Sequence, residues 1–344
     1  MAYQIRLCRK DELPKLKCFL SRYWKSNHIF LNNQNLLDWQ HLEGNNYNFV
    51  VANFEETDEF HGILGFISPE FFSQGKVVSS GHVWLAIWKV EKSLAVSKSI
   101  GIDLLNFIKD NYNPKNISAI GINKEVSFVY RLLGFRVGKL VQGFIINDSM
   151  ENFNIAQITK HNSSRVINET TIESEIEVKK IGDEELLSMN YSSMNADRFF
   201  GINYLNQRYI NHPCYRYSFY IVRRNKTVVA LFIARVVEVF KSRCLRIVDV
   251  WGLNNLDISL RRQFKEILTQ ENFEYVDVVA SPVDFFKLEN VGFRANTAES
   301  FVPHLFEPFV ASSSEVMFAT SSNDDISMFK ADSDLDRPNF RATS

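Results

Sequence analysis

The sequence predicts an α/β (α+β) protein of two tandem lobes, each a mixed, mostly antiparallel sheet flanked by helices. Three observations lead there. Two runs of aromatic and β-branched segments, at 47–90 and 215–251, each break into three pieces separated by polar turns. Each run is followed by helix, strand, helix and a Gly-Phe pair, Gly134-Phe135 and Gly292-Phe293. A chain of 344 residues also exceeds one ordinary domain and suits two of about 150 residues.

The elements follow in order. Tyr3 to Cys8 alternates as a strand, and Asp11 to Trp24 carries Leu13, Leu16, Phe19 and Leu20 on one helical face, with Asp11 placed to cap it. Residues 47–54, 60–68 and 81–90 make an antiparallel meander. Helix (100–109), strand (117–122), helix (126–133) and the strands of 136–147 complete a β-α-α-β-β-β-α-β-α-β order. Residues 148–172 are polar and read as a connector. The pattern then restarts. Ile176-Glu-Val-Lys-Lys-Ile-Gly-Asp-Glu-Glu-Leu186 echoes Ile5-Arg-Leu-Cys-Arg-Lys-Asp-Glu-Leu13. A second meander (215–223, 226–240, 243–251, with Arg224-Asn225 as a tight turn), a helix (260–270), a strand (275–281) and the run from Phe286 to Phe293 follow. The expected units are therefore 1–150, a linker over 151–172, a second lobe over 173–318 and a tail over 319–344.

Composition narrows the function. Charges nearly cancel, 39 basic against 40 acidic, so no global field points to nucleic acid or an anionic membrane, and any polyanion must be held by a local cluster. No window approaches the apolar length of a membrane span, and the first residues lack a signal peptide's pattern, which points to the cytoplasm. Cys8, Cys18, Cys214 and Cys244 are scattered, with no Cys-x-x-Cys and no His at metal spacing, so neither a disulfide frame nor a metal site is expected.

Two first-lobe segments carry chemistry. Val96-Ser-Lys-Ser99-Ile-Gly101 opens a helix, where free amides and the dipole favour phosphate, and Lys98 adds local charge. Asn123-Lys-Glu-Val-Ser-Phe-Val-Tyr130-Arg-Leu-Leu-Gly134-Phe135 puts an Asn and a Tyr on a helix that exits through Gly-Phe. Together these segments resemble the acyl-CoA-binding half of the GNAT (GCN5-related N-acetyltransferase) fold. The family's Gln/Arg-x-x-Gly-x-Gly/Ala turn keeps its second small position here, but Ser99 replaces the first glycine and Val96 the leading Arg or Gln. The resemblance implies pyrophosphate binding by Lys98, Ser99, Ile100 and Gly101, and a cofactor contact at Asn123. It further implies a strand (82–90) that splays from its neighbour to pair with pantetheine. A backbone N–H near Ile87 or Trp88 would then face the thioester oxygen and stabilise charge that develops in the transition state. Period two puts His82, Trp84, Ala86 and Trp88 on one face of that strand, where aromatics are also ordinary core residues. Tyr130 takes the family's place for the acid that protonates the leaving thiolate. A phenol near pH 10 suits a thiol of about 8.5, with a tyrosine merely packed beside Phe135 as the alternative. His82 is the candidate base for the acceptor amine, and Glu91 the second choice.

The second lobe lacks these groups. No Gly-x-Gly turn follows Asp249-Val-Trp-Gly252, and Leu288 precedes Gly292 as Tyr130 precedes Gly134, so this lobe suits holding an acceptor or closing the cleft. The tail reads Phe329-Lys330-Ala-Asp332-Ser-Asp334-Leu-Asp336-Arg337-Pro338-Asn339. Composition alone makes it a solvated, disordered tail, and it lacks the Gly and Glu of a calcium loop. It resembles, however, the C-terminal end of tandem-lobe GNAT enzymes that acylate nucleotide-linked 3-amino-3,6-dideoxy sugars from donors such as 3-hydroxybutanoyl-CoA, for bacterial surface polysaccharide (O-antigen) synthesis. Leu37-Asp-Trp-Gln40, Ile87-Trp-Lys-Val90 and Tyr204-Leu-Asn-Gln-Arg-Tyr-Ile-Asn-His-Pro213 share that resemblance. It implies acyl-CoA and a nucleotide-linked amino sugar as ligands, with no metal, nucleic acid or membrane insertion. Trp39, Lys330, Asp332, Asp334, Asp336, Arg337 and Asn339 are then the expected acceptor contacts, with Lys330 and Arg337 on the diphosphate. Two alternatives stay open: a GNAT transferase for another small amine or peptide, and a GNAT-like binding module without catalysis.

Overall fold

The computed structural model describes residues 3–73, 81–159, 176–191, 194, 198 and 201–339. Most of the expected connector, from residue 160 onward, lies outside the described residues. The first half supplies β1 (Tyr3–Arg9), β2 (Asn46–Phe54), β3 (Glu59–Ile67), β4 (His82–Val90), β5 (Asn116–Ile122) and β6 (Arg136–Ile146). Its main helices are α1 (Leu13–Phe19), α2 (Gln34–His41), α3 (Ile100–Tyr112) and α4 (Lys124–Leu132). The second half supplies β7 (Ile176–Ile181), β8 (Ser218–Arg224), β9 (Thr227–Val239), β10 (Ser242–Trp251), β11 (Tyr275–Ala280) and β12 (Val316–Thr320). Its helices are α5 (Asp183–Ser188), α6 (Arg261–Gln270) and α7 (Pro282–Val291).

These strands form one sheet in the order β1-β2-β3-β4-β5-β12-β6-β11-β10-β9-β8-β7. Only β4–β5 and β10–β11 among them run parallel. Each half is thus an antiparallel meander ending in one parallel pair, and the halves meet back to back at β12 and β6. The expected meanders are present. The hairpin between β8 and β9 turns on Asn225 and Lys226, both at positive φ (49° and 68°), one residue later than the sequence suggested.

The tail departs most from expectation. Val316–Thr320, partly assigned to a polar tail, is a strand wedged between β5 and β6. The second half of β6, Val141–Ile146, pairs instead with β11. The first lobe therefore depends on a strand from the far end of the chain, and the second on the last strand of the first half. Phe318 and Val316 join an apolar cluster that runs from Trp84 and Ile120 in the first lobe to Ile233 and Val248 in the second.

Helices cover the two faces. Against the first lobe, α3 and α4 bury Leu104, Leu105, Ile108 and Tyr130 on one side, and α1 and α2 bury Leu16, Phe19, Leu36 and Leu37 on the other. The start of the α1 run is held by Glu12 rather than Asp11. The Glu12 carboxylate accepts from the Arg9 N–H at 3.1 Å and from both Arg6 terminal nitrogens at 2.6 and 2.7 Å. The Asp11 side chain is 76% exposed. Helices α4 and α7 end alike, because Gly134 (φ +81°) and Gly292 (φ +115°) take the left-handed conformation that closes a helix. Phe135 N–H then bonds the Tyr130 carbonyl at 2.9 Å, and Phe293 N–H bonds the Leu288 carbonyl at 3.0 Å. This backbone match makes Leu288 the structural counterpart of Tyr130.

Because β12 stitches both halves, emptying its core position is expected to weaken both. Phe318→Ala should cost about 3–5 kcal/mol and lower a single thermal transition, with amide exchange accelerating in both β5 and β11. Exchange that changes in only one half would contradict the shared core.

Candidate active site

The β4–β5 ladder runs only from His82–Asn116 to Leu85–Ala119. Beyond Leu85 the ladder ends, and β4 and β5 run on to Val90 and Ile122 without pairing to each other, which leaves a gap in the sheet. On the other edge of β4, the register with β3 slips between Leu64 and Phe66, so Ala86 and Ile87 share the place opposite Gly65. Such a bulge leaves an extra residue unpaired and bends the strand. It also corrects the expectation that His82, Trp84, Ala86 and Trp88 share a face. Trp84 and Ala86 pack into the interlobe cluster, Ile87 against α1 and α2, and Trp88 against α3 and α4. The slip inverts the alternation at the mouth of the gap.

Trp88 links the predicted cofactor residues. Its indole Nε1 lies 3.7 Å from where a Cβ at Gly101 would be. Its ring meets Tyr130 edge-on at 5.6 Å and 70°, and Tyr130 meets Phe135 in the same way at 5.2 Å. Burial pushes the Tyr130 phenol well above its usual range, so it stays protonated at neutral pH. Asn123 caps α4, its Oδ1 accepting the Val126 N–H at 2.7 Å. The turn before α3 is exposed at Lys98 and Ser99. Ser99 Oγ donates to Asp103 at 2.7 Å, so the helix start already carries a carboxylate. Trp88, Gly101 and Tyr130 are thus brought together on one face beside this opening, with Asn123 at the start of the same helix as Tyr130, whereas Ile87 packs on the opposite face of the sheet.

His82 is not at that opening. It lies at the closed end of the ladder, stacked on Trp84 at 4.2 Å, with Nε2 3.1 Å from Ser118 Oγ. Ser118 donates onward to Thr320 at 2.9 Å. Burial, aided by nearby Arg198, pushes His82 down to about 3, so it is neutral and too weak a base to hold an amine's proton. Glu91 is held low by hydrogen bonds from Ser93 and by Lys89.

The second lobe has the same gap, already filled. Its parallel ladder spans only Leu245–Val276 to Ile247–Val278, and the register slip opposite Ile233 and Ala234 places the bulge at Val248. Between the separated strands runs the chain's own C-terminal segment. Phe329 bridges Ala280, Ser281 N–H donates to the Met328 carbonyl at 2.8 Å, and Ala331 N–H donates to the Val248 carbonyl at 2.9 Å. Composition marked this stretch as solvated, yet Met328 to Ser333 are buried. Sequence reasoning missed it because the charges that suggest solvent are answered inside the molecule.

Those charges account for most of the expected acceptor residues. Asp332 pairs with Arg198 at 2.7 Å, and Arg198 also meets Asp249. Asp336 accepts from Arg235 at 2.9 Å and from Tyr217 at 2.9 Å. Lys330 Nζ is buried with a long 3.4 Å contact to the Leu335 carbonyl. Arg337 and Asp334 pair at 2.9 Å and stay partly exposed, with the guanidinium 5.4 Å from the Phe30 ring centre. Asn339 N–H donates to Glu307 at 2.7 Å. Trp39 Nε1 donates across the lobe boundary to the Gln207 carbonyl at 2.9 Å. Among the described residues no group of three His, Cys, Asp or Glu side chains is arranged to hold a metal, and no helix is long and apolar enough to cross a membrane. All four cysteines are free.

No family model matches the chain, and no curated protein does. Solved structures do. A GCN5-related N-acetyltransferase from Anabaena variabilis ATCC 29413 is 10% identical, covering 92% of this chain and 72% of its own, with a TM-score of 0.54. The fold is the GNAT fold. A conserved protein from Enterococcus faecalis V583, described as a probable N-acyltransferase, is 8% identical over 93% of this chain and 72% of its own, at a TM-score of 0.52. At these identities the likeness is one of fold, and it extends across both GNAT-like lobes.

The buried lysine gives a pH signature. Burial, with Arg246 adding to it, lowers Lys330 to about 7, whereas the unfolded chain keeps that proton to about 10.4. The unfolded state therefore binds more protons between these values, and stability rises with pH across that window. Lys330→Met should flatten this rise, read as a smaller difference in Tm between neutral and alkaline buffer. An unchanged difference would contradict the lysine's buried state.

Proposed function

We propose that the chain is an acyl-CoA-dependent N-acyltransferase. Its acceptor is the amino group of a nucleotide-linked 3-amino-3,6-dideoxy sugar, in the synthesis of a bacterial surface polysaccharide. The observation that carries the transferase reading is the contrast between the gaps: that of the first lobe faces Trp88 and Tyr130, that of the second holds the chain itself. The amino-sugar acceptor rests on the sequence resemblance of 37–40, 87–90, 204–213 and the C-terminal segment.

In this reading pantetheine lies along the free edge of β4, and the bulge amide near Ile87 or Trp88 meets the oxygen of the tetrahedral intermediate. The amine nitrogen attacks the thioester carbon, a C–N bond forms and the C–S bond breaks. Tyr130 gives its proton to the departing sulfur. A phenol raised by burial remains a competent donor there, because burial raises the thiol beside it as well. The amine proton passes to water, and water returns a proton to the Tyr130 phenolate; His82, at the closed end of the ladder, takes no part. The acceptor lies at the rim between lobes, near Trp39, Arg337, Asp334 and Asn339. Lys330, Asp332 and Asp336 lie beneath and shape that rim.

One observation favours a second reading. The Ser99–Asp103 hydrogen bond occupies the helix start with negative charge, as suits a binding module that no longer holds CoA. Calorimetry separates the two: the transferase binds CoA once per chain, the module not at all up to millimolar concentration.

Tyr130→Phe should lower turnover by roughly 100-fold or more, the scale of a lost general acid, while leaving acyl-CoA affinity nearly unchanged. Unchanged turnover would remove the role given to Tyr130. The acceptor class is tested by thiol release with dTDP- and UDP-linked amino sugars against simple amines. Faster release with simple amines would overturn the sugar assignment.

A further inference from the structure

The C-terminal segment does more than fill the second gap, for it continues across to the first. Ser333 donates its hydroxyl to the Leu85 carbonyl at 3.1 Å, at the last residue pair before β4 and β5 part. Two residues on, Leu335 reaches the opposite strand, its Cδ1 3.4 Å from where a Cβ at Gly121 would be. Leu335 belongs to the cluster of Trp84, Ala86 and Ile120, on the side of the sheet opposite Trp88 and Tyr130, which pack with α3 and α4. The segment is fixed on either side of this contact by Asp332 on Arg198 and Asp336 on Arg235.

A thioester entering from the Trp88 side would put its sulfur at the bulge and send its acyl chain through the sheet. On that far side, at the closed end of the gap, lies the strap of 333–335, with Ser333 on Leu85 and Leu335 beside Gly121. We propose that Leu335 is the floor of the acyl pocket and sets the length of acyl group the protein transfers. This rests on the transferase reading above and assigns the size limit to a residue of the opposite lobe. An apolar floor pinned by two buried ion pairs cannot retreat for a longer chain. Each methylene it excludes or admits is worth about 0.8 kcal/mol.

The test is a series of acetyl-, butanoyl-, hexanoyl- and octanoyl-CoA, scored by kcat/KM for thiol release. Leu335→Ala should raise the preference for the chain two methylenes longer by roughly 10-fold, and Leu335→Trp should shift preference toward acetyl. Leu335→Met, which keeps the volume, should reproduce the original profile and controls for a general effect on folding. Affinity for CoA without an acyl group should be the same in all three, because the floor lies on the other side of the sheet. Identical chain-length profiles in the Ala and Trp variants, with CoA still bound, would overturn the role of Leu335. If the unaltered chain binds no CoA, the transferase reading fails and this inference fails with it.

Discussion

The fold depends on burying a charged segment. Residues 328–336 cross the middle of the molecule, and a backbone there must have its donors and acceptors answered without water. Asp284 accepts the Met328 N–H at 3.0 Å, and Asp332 turns back to accept the Phe329 N–H at 2.8 Å. Arg208 donates to the Ala331 carbonyl at 2.7 Å, and Arg198 to the Ser327 carbonyl at 3.0 Å. Asp249, which anchors Arg198, is itself satisfied by the Val250 N–H, the Tyr209 hydroxyl and the Trp251 indole. Such buried pairs gain little in net stability, but removing one partner strands the other at a cost of several kcal/mol. They fix where the segment lies, and apolar packing supplies the stability.

That placement differentiates two similar lobes. Both have a parallel ladder that stops short, a bulge beside it and a helix closing on Gly-Phe. In the second lobe main-chain bonds from the segment occupy the separated strands, and Leu288 stands where the first lobe has Tyr130. In the first lobe the same segment touches the closed end of the gap, through Ser333 and Leu335. Two lobes of similar architecture thus differ in one respect: the gap of the second is occupied by the C-terminal segment, and that of the first is not.

Much of this was legible in the sequence. The alternation within 47–90 and 215–251 and the two Gly-Phe exits gave the meanders and their order, because period-two patterning and left-handed glycines are local signals. Three features were hidden. The bulge at Ala86–Ile87 leaves no mark in composition, so the shared face of Trp84 and Trp88 was misread. The partners of Asp332 and Asp336 lie about a hundred or more residues away, at Arg198 and Arg235, so local composition pointed to solvent. The packing of His82 against Trp84 and Ser118 is a tertiary property, and it places the candidate base at the closed end of the ladder.

The proposed CoA site is the gap of the first lobe, and the gap of the second is closed by the chain. Amide hydrogen exchange of the full chain with and without saturating CoA addresses it most directly. Bound CoA should slow exchange at Ile87–Val90 and in the first turn of α3, with no change at Val248–Trp251. Protection at Val248–Trp251, or none at Ile87–Val90, would contradict it.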